Sequence, residues 1–545
     1  MPGIDTDVLV VGAGPTGLLA AILLARQGLS VRIVDRNPDA AKESRAFGVQ
    51  ARSLELFASL GLAETLLDRG LVATGIQVFI DGERRAEIAF DDLGRADTPF
   101  GFLLMVPQSE IEAVLSAELA LLGIAVERGL AATGLSQDPE RARVRLRGPD
   151  GEREVSARYV IGADGAHSEV RKALGLTFEG AAYGQTFLLA DATVTWPLGA
   201  DRLSLFLRGR DFAAFLPLKG RDYARVMVVD PEGGDGGGQG SAPVDLATVE
   251  RAFREATGLD ARLSAPRWTS RYRVHHRGVD RYRVGRCFVA GDAAHIHSPA
   301  GGQGMNTGLQ DVANLCWKLP LVIRGQAADA LLDSYHEERW PVGQRVLAYT
   351  DRAFSAVADP SGWTLALRSV LAPSLAATLS RLPPLRRRLF GFVSQLGIRY
   401  RPGRFAAEGP GDGGSGGPGP GRRAPNAAIA RHRDVFDLLE GYRFTLLAFS
   451  RDPLPDAEID AVRAELDAIS EGPVPLVAHL VAHSLVGRDP RLLQAEAPGA
   501  FTAYGVGPDR PRALYLVRPD GYVAWRGEGF DVAACRAFLA GWAAP

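Results

Sequence analysis

The chain has 545 residues, of which 46% are hydrophobic and 23% charged, so it can bury several cores, and disorder is excluded as its main state. Its 62 basic and 64 acidic residues give a net charge of -2, which offers no overall field to attract nucleic acid or an anionic membrane. Cys287, Cys316 and Cys535 are far apart, so neither a disulfide framework nor a cysteine-based metal site is expected. No apolar run is long enough to cross a bilayer and no cleavable leader begins the chain, so a cytoplasmic location is expected.

The N-terminal segment has the pattern of a strand, a glycine-rich turn, a helix and a second strand. Residues 7–11 form a short β-branched run that suits a buried parallel strand, and the glycines follow it directly. Residues 18–27 predict an apolar helix that ends at Gly28, and residues 30–34 predict a strand that ends at Asp35. This order is the setting in which a dinucleotide-binding turn works.

Three glycines, Gly12, Gly14 and Gly17, have separate roles in this turn. The first permits the tight bend, the second lets the backbone approach a pyrophosphate, and the third lets helix and strand pack closely. The helix start offers N–H groups and the positive end of its dipole to phosphates. Asp35 stands where a carboxylate accepts hydrogen bonds from ribose hydroxyls. The segment therefore predicts dinucleotide binding, with a plain strand–helix turn as the alternative.

The middle of the chain changes pattern several times. A helix is predicted over 107–122, a hairpin through the turn at 149–151, and a buried strand with a glycine turn over 159–165. From 178 to 275, alternating segments predict an antiparallel sheet. The strand–helix pattern then returns at 287–292.

The last third of the chain divides at a glycine-rich stretch. After Trp317 the chain is predicted to be mostly helical to about Tyr400. Residues 409–421 are almost all Gly, Pro, Ser or Asp, which predicts a flexible linker. The remainder, 424–545, has its own predicted strands and helices and is long enough to fold alone.

A second acid at a strand end separates FAD from NAD. Residues 286–291 predict a strand that delivers Asp292 to a turn, and the glycine-rich residues 298–306 follow, with a helix beginning near Met305. An acid in this position can bind the hydroxyls of a ribitol chain. A helix start stabilises the negative charge of a reduced flavin at its N1–C2=O edge. The pattern favours FAD.

With these motifs in place, the sequence resembles the single-component FAD-dependent aromatic hydroxylases, typified by para-hydroxybenzoate hydroxylase and phenol hydroxylase. Three signatures carry the resemblance: the glycine fingerprint, residues 164–168 with Arg171, and the motif at 291–292 that leads into 303–306. The longer chain more closely resembles the phenol, pentachlorophenol and polyketide hydroxylase branch, whose tail is thioredoxin-like.

The resemblance implies an α/β fold in which a Rossmann-like FAD-binding domain carries an inserted β-sheet substrate domain and a thioredoxin-like α/β C-terminal domain. The expected boundaries are 1–75, 102–177 and 275–340 for the FAD-binding domain, 76–101 and 178–274 for the substrate domain, 341–400 for a helical segment, 401–424 for a Gly/Pro-rich linker and 425–545 for the tail.

The resemblance also implies a set of cofactor-binding residues. Arg45 is expected at the ribose or pyrophosphate of FAD, Gln108 on its flavin side and Asp292 at its ribitol. Asp164 and Gly165 belong to a motif linked with both FAD and the reducing nicotinamide. The whole set is Gly12, Gly14, Pro15, Thr16, Gly17, Asp35, Arg36, Arg45, Gln108, Asp164, Gly165, Asp292, Pro299, Gly302, Gly304, Met305 and Asn306.

No catalytic side chain is assigned. Pro299 and the backbone of 302–306 are expected to line the isoalloxazine ring, with the Pro299 backbone as a candidate near the reacting flavin. Phe47 stands where phenol hydroxylase carries an acid, so the base of that enzyme is not carried over. Asp35 replaces the more common Glu, and both can accept two hydroxyls.

Six aromatic residues are candidates for lining a substrate pocket. One or two of them are expected to do so, because most alternate residues in strands are core. The candidates are Phe47, Phe187, Phe206, Phe212, Phe215 and Tyr223.

Three further features are predicted to be structural. Cys535 lacks the partner of a Cys-x-x-Cys pair, so the tail is expected to be a structural or dimer-forming module without redox activity. His295 and His297 lack a nearby acid or cysteine partner, so turn-stabilising hydrogen bonds are favoured over a metal site. His275 and His276 could face the substrate pocket, although a solvated loop pair is favoured.

The expected activity is monooxygenation of a phenolic or polycyclic aromatic substrate. The resemblance implies that NADPH or NADH reduces a tightly bound, non-covalent FAD, which then forms a C4a-hydroperoxide with O2 that hydroxylates the ring. Baeyer–Villiger oxygenation, a flavin reductase without oxygenation, and a flavin-binding scaffold or sensor remain as alternatives. The expected partners are a small aromatic molecule and O2, with a possible homodimer and with neither nucleic acid nor membrane.

Overall fold

The structure is a computed structural model that describes residues 3–40, 46, 48–89, 97–199, 201–209, 211–231, 233, 244–298, 300–358, 383–410, 416–483, 491–496 and 498–543. Three large sheets and their helices form a mixed α/β chain, which confirms the predicted fold class. Across these described ranges, no helix has the length and apolar character needed to cross a membrane.

The elements up to residue 173 mix short strands and helices. In chain order they are β1 (Thr6–Val11), α1 (Pro15–Arg26), β2 (Val31–Asp35), β3 (Gly48–Val49), α2 (Ala51–Ser59), α3 (Ala63–Arg69), β4 (Leu71–Ala73), β5 (Gly75–Ile80), β6 (Glu83–Ala89), β7 (Leu103–Met105), α4 (Gln108–Leu121), β8 (Val126–Arg128), β9 (Ala131–Gln137), β10 (Ala142–Gly148), β11 (Gly151–Gly162) and α5 (Glu169–Ala173).

Longer strands follow, and then the longest helix. These elements are β12 (Glu179–Thr195), β13 (Leu203–Arg208), β14 (Asp211–Pro217), β15 (Tyr223–Val229), α6 (Leu246–Thr257), β16 (Arg262–Gly278), β17 (Arg283–Val284), β18 (Cys287–Val289), β19 (His295–Ile296), α7 (Gln303–Leu315), α8 (Lys318–Ile323), α9 (Ala330–Ala358) and α10 (Pro383–Val393).

The C-terminal elements form a separate sheet and its helices. They are β20 (Ala407–Glu408), β21 (Ala428–Ala430), β22 (Arg433–Asp434), β23 (Phe444–Ser450), α11 (Asp456–Ser470), β24 (Leu476–Ala482), β25 (Leu492–Gln494), α12 (Gly499–Ala503), β26 (Arg512–Val517), β27 (Val523–Glu528) and α13 (Val532–Ala540).

The first sheet has the order β17–β18–β11–β1–β2–β8, with β10 and β9 joined to β11. β1 is parallel to both β11 and β2, and β11 is parallel to β18. Val8, Leu9 and Val10 are fully buried, which explains the continuous apolar run of β1. Because β1, β11 and β18 are parallel, their carboxyl ends and the turns that follow lie at one edge of the sheet.

The second sheet has the order β19–β16–β12–β15–β14–β13–β5–β6. Its strands β12 to β16 pair in antiparallel fashion, whereas β13 pairs with β5 in parallel. The sheet therefore includes the predicted antiparallel region and, through the parallel pairing of β13 with β5, also the hairpin of β5 and β6. Helix α6 packs Val249 and Phe253 into the apolar cluster on one face of the sheet.

The C-terminal sheet has the order β20–β27–β26–β23–β24–β25. β23 is parallel to β24 and antiparallel to β26. Cys535 on α13 is fully buried, and burial raises the pKa of its thiol to about 12. The thiol is therefore protonated at neutral pH.

The expectation of a flexible linker over 409–421 is wrong for its described residues, 409–410 and 416–421. The N–H of Gly409 donates to the Arg526 carbonyl at 2.7 Å, and that of Gly421 to the Val523 carbonyl at 2.8 Å. A side chain at Gly417 would collide with Tyr515. The glycines there allow close packing against the C-terminal sheet, a role that composition alone does not distinguish from flexibility.

A buried charge network joins the C-terminal sheet to the helices behind the first sheet. Arg518, which follows β26, donates to Glu338 on α9 at 2.6 Å and to Asp520 at 2.6 Å. Lys318 on α8 donates to the same Glu338 at 3.0 Å. The side chains of Arg518 and Lys318 have no exposed surface, so the tail is fixed to α8 and α9 by paired, desolvated charges.

Candidate cofactor and substrate site

The turns after β1 and β11 are in direct backbone contact. Gly12 has φ +104°, and a Cβ there would collide with the backbone of Ala163 and Asp164. The N–H of Ala163 donates to the Val11 carbonyl at 2.7 Å. Only glycine allows the first turn to lie this close to the second.

The turn after β18 contacts the start of α1. A Cβ added to Gly291 would lie 2.8 Å from Oγ1 of Thr16, and a Cβ added to Gly308 would lie 2.5 Å from the same atom. The N–H of Ala290 donates to the Gly162 carbonyl at 3.0 Å. The structure therefore brings the glycine fingerprint, the turn at 163–165 and the turn at 291–292 together.

The start of α1 is open for a ligand. A Cβ on Gly14 would have no heavy atom within 4 Å, and no side chain caps the helix N-terminus. Asp35 is committed in part to the turn, because its carboxylate accepts the N–H of Ala13 at 2.7 Å and that of Asn37 at 2.8 Å. Arg36, the next predicted contact, is exposed. These are the features that a diphosphate at a helix start requires.

The carboxylate of Asp164 serves as a helix cap. It accepts hydrogen bonds from the hydroxyl of Ser168 at 2.5 Å and from the N–H of Glu169 at 2.7 Å, at the start of α5. Burial raises the pKa of Asp164, and these hydrogen bonds oppose that rise. The structure thus gives its side chain an internal role, and it is the backbone of Asp164, with that of Ala163, that lies against the glycine turn.

Asp292 differs from its neighbours in exposure. Its side chain is exposed, whereas Gly291, Ala293 and Ala294 around it are buried. The short turn therefore presents one carboxylate at the edge where the other turns meet, as a ribitol-binding acid requires.

Helix α7 begins at Gln303, two residues before the predicted start. Gly301 and Gly302 have φ +77° and +61°, and no side chain caps the helix. Its first N–H groups are therefore available to an anionic ring edge. Gly304 and Met305, both half-buried, stand in this first turn.

The side chain of Asn306 is internal. Its Nδ2 donates to the carbonyls of Gly48 and Gly302, both at 2.8 Å, and its Oδ1 accepts the N–H of Gln50 at 2.9 Å. Gln50, which was not among the predicted site residues, also donates to the Gly301 carbonyl at 2.9 Å. Both side chains position the loop before α7, so at Asn306 only the backbone is left for the cofactor.

Of the remaining predicted site residues, the structure describes Gln108 but not Arg45, Phe47 or Pro299. Gln108 lies at the start of α4, where its Oε1 accepts the N–H of Ala46 at 3.3 Å and its Nε2 donates to Glu112 at 2.8 Å. Arg45, Phe47 and Pro299 lie outside the described residues.

The predicted pocket aromatics lie on opposite faces of the second sheet. Phe187, Phe212 and Tyr223 belong to the cluster on the face away from α6, with Tyr272 and Met227 beside them. On this face, burial raises the pKa of Tyr223 to about 12, and Tyr272 donates its hydroxyl to the Met227 sulfur at 3.2 Å. Their role in a substrate pocket stays a prediction.

Phe206 and Phe215 are corrected to core residues. They lie on the face that α6 covers, where Phe215 stacks on Trp196 at 4.1 Å between ring centroids. Phe206 stacks on Phe79 at 4.7 Å and meets Phe253 of α6 edge-on at 6.4 Å. Both faces of the sheet are apolar, so strand alternation could not tell them apart.

The two histidine pairs are placed differently from one another. His275 and His276 lie within strand β16 and are half-buried, so the favoured solvated loop is wrong for them. His295 and His297 are hydrogen-bonded to each other at 2.9 Å, but Asp311 lies 2.6 Å from Nε2 of His295, so the expectation that no acid lies near this pair is wrong. In the part of the chain that the structure describes, no group of three or more His, Cys, Asp or Glu could hold a metal ion.

Two family models match the chain. A FAD binding domain matches residues 5–350, and the C-terminal domain of aromatic-ring hydroxylases matches residues 417–545. The chain belongs to the FAD-dependent aromatic-ring hydroxylases. This confirms the family to which the sequence motifs pointed.

Relatives of this hydroxylase cover almost the whole chain. It is 36% identical over 535 residues to 6-methylpretetramide 4-monooxygenase of Streptomyces rimosus, with 96% of this chain and 91% of the relative covered. It is 35% identical over 476 residues to pentachlorophenol 4-monooxygenase of Sphingobium chlorophenolicum, with 86% and 84% covered. Aklavinone-11 hydroxylase, solved with FAD and aklavinone, matches with a TM-score of 0.75 at 28% identity over 100% of this chain and 99% of that one. The chain is thus a FAD-dependent monooxygenase, as predicted.

The residues at the converging turns fit FAD. The open space at Gly14 and the uncapped start of α1 suit its diphosphate, and the exposed Asp292 suits its ribitol. The uncapped start of α7 suits the ring edge that becomes negative on reduction. FAD supplies the electron transfer to dioxygen, and the protein supplies binding, orientation and exclusion of water.

Proposed function

We propose that the hydroxylase consumes NADPH or NADH and O2 to add one hydroxyl group to a phenolic or polycyclic aromatic substrate. The observation that carries the proposal is the meeting of three glycine turns at one sheet edge in a chain of this family. NAD(P)H is proposed as a transient co-substrate, because the single glycine fingerprint of the sequence is the one that FAD occupies.

The residues of the chain have separate parts in this proposal. The N–H groups at the start of α1 bind the diphosphate, Asp292 accepts hydrogen bonds from ribitol, and the first N–H groups of α7 hold the flavin ring edge. Asn306 and Gln50 hold the loop before α7 in place. The face of the second sheet with Phe187 and Phe212 supplies an apolar surface that excludes water from the reacting atoms.

The substrate class follows from this apolar face and from the relatives. The ring centroid of Phe187 lies 6.4 Å from that of Phe212 and 6.0 Å from that of Tyr272. Such a surface stacks on flat aromatic molecules. The names of the relatives specify 6-methylpretetramide, pentachlorophenol and aklavinone, which are aromatic or polycyclic compounds.

A substrate-stimulated oxidation assay tests the proposal. Purified protein is expected to show the visible spectrum of bound FAD and to oxidise NADPH or NADH faster when pentachlorophenol or anhydrotetracycline is added. With ¹⁸O₂, mass spectrometry should find one labelled oxygen on a ring carbon of the product. A labelled ester or lactone would replace the proposal with Baeyer–Villiger oxygenation. Oxidation of NAD(P)H without labelled product would replace it with a flavin reductase, and protein that binds no FAD would overturn it.

A further inference from the structure

A chain of four hydrogen-bonded side chains lies behind the cofactor turns, and the proposed function does not use it. Arg339 on α9 donates through Nε to Asp311 on α7 at 2.8 Å, and Asp311 lies 2.6 Å from Nε2 of His295. Nδ1 of His295 lies 2.9 Å from Nε2 of His297. The side chains of Arg339 and Asp311 have no exposed surface and that of His295 is 1% exposed, so these three members are shielded from solvent, whereas His297 is half-buried.

The carboxylate at one end fixes one proton position in the relay. Burial opposes ionisation of Asp311, but His295 and Arg339 hold its pKa below the ordinary value, so it is a carboxylate. A carboxylate accepts, so Nε2 of His295 carries a proton, and a further hydrogen bond joins Nδ1 of His295 to Nε2 of His297. Burial lowers the pKa of His297 well below its ordinary value, so its ring is neutral and carries one proton.

The relay contacts both segments that flank the flavin end of the proposed site. Asp311 also accepts the N–H of Gly291, the residue before Asp292, at 3.2 Å. At the other end, the ring of His297 lies 3.9 Å from the place where a Cβ on Gly304 would stand, in the first turn of α7. The relay therefore spans from the ribitol turn to the start of the helix that faces the ring edge.

Nδ1 of His297 is buried and has no hydrogen-bond partner within the described residues. A buried ring nitrogen without a partner is unfavourable, so another contact of His297 must compensate for it. That contact is the hydrogen bond between Nε2 of His297 and Nδ1 of His295, which holds the ring in one orientation.

We propose that His297 is a positioning residue for FAD: through its hydrogen bond to His295, it fixes the spacing between the Asp292 turn and the start of α7. This inference rests on the proposed cofactor site and adds a residue that touches the loops and not the reacting atoms. It acts through the bond at Nε2, so a side chain that restores that hydrogen bond restores FAD binding.

Three substitutions at one position separate this bond from packing. H297Q places an amide, which can donate or accept, near the position of Nε2. H297N places its amide near Nδ1 and cannot reach His295, and H297L removes both polar positions. The measurements are the FAD dissociation constant of the apoprotein, the visible spectrum and reduction potential of bound FAD, and the melting temperature of the apoprotein. H479N, at a buried histidine of β24 in the C-terminal sheet, is the matched control.

H297N and H297L are expected to weaken FAD binding by about tenfold and to shift the visible band and potential of the FAD that remains. H297Q is expected to stay within about threefold of wild type, and H479N to match it. Unchanged FAD binding in H297N and H297L would overturn the inference, and so would equal loss in all three variants. Loss that follows the melting temperature of the apoprotein would show a merely structural role. Wild-type protein without FAD affinity would overturn the proposed cofactor site itself, which separates the two failures.

Discussion

At the edge where β1, β11 and β18 end, main chains touch each other through glycines, and buried charges such as Arg518 and Glu338 hold the helices behind. On the second sheet, aromatic side chains pack on both faces, with the buried pair of Arg225 and Asp191 among them. The first region depends on backbone geometry, which tolerates few residue types at a given position. The second depends on apolar volume, which many residue types can supply. A sequence motif is therefore informative for the first region and weak for the second.

The largest expected effect on cofactor binding is at Gly12, where the cofactor edge has no room for a side chain. G12A would place a methyl group against the backbone of Ala163 in a conformation that costs about 1–3 kcal/mol for non-glycine residues. We expect protein that purifies without bound FAD and melts at a lower temperature. The ratio of flavin to protein absorbance and a thermal melt measure both effects.

Gly14 provides the matched control for that variant. It has an ordinary φ of −76° and open space around it, so G14A should melt like wild type as apoprotein. Its methyl group would still stand where the diphosphate approaches, so FAD binding should weaken. If G12A retained FAD and wild-type stability, the close backbone contact would not be what the cofactor edge depends on.

The next effect is at the charges behind this edge. R518M would remove the guanidinium that pairs with Asp520 and would leave Glu338 with Lys318 alone as its cationic partner in a buried site, which costs about 3–5 kcal/mol. Urea unfolding should show this loss in the free energy of unfolding. R463M, which breaks an exposed pair with Asp460, should change it by no more than about 1 kcal/mol. Equal effects in the two variants would contradict the role of the tail as a buried anchor of α8 and α9.

The same contrast explains what the sequence could predict. The tight turn at Gly12, the acid at Asp292 and the order of strand, turn and helix can be predicted from the sequence, because each of these positions has a steric or charge requirement. The side-chain roles of Asp164 and Asn306 cannot, because a helix cap and the hydrogen bonds that hold a loop depend on residues that the fold brings together. The composition around Gly417 predicts a linker although these glycines are packed, because glycine allows both flexibility and close approach of main chains.

The second sheet offers a paired test of its two faces. F215A should destabilise the protein by about 3–5 kcal/mol, because it empties the core under α6, and should leave the KM for an aromatic substrate unchanged. F212A, on the other face, should raise that KM by about tenfold when pentachlorophenol is the probe. Steady-state kinetics and urea unfolding of both variants measure the two effects. A higher KM in F215A alone would reverse the assignment of the faces.

The smallest effect is expected in the C-terminal domain, where Cys535 is expected to contribute to packing and not to NAD(P)H oxidation. Cys535 is fully buried with its pKa raised to about 12, so a thiol reagent should not modify it in the folded protein at pH 7.5. C535A removes a small apolar group from α13 and should lower stability by about 1 kcal/mol while leaving NAD(P)H oxidation at the wild-type rate. Loss of oxidation in a C535A protein that still binds FAD would show electron transfer through the tail. The C-terminal domain would then take part in the reaction at the cofactor edge, and its role would no longer be packing alone.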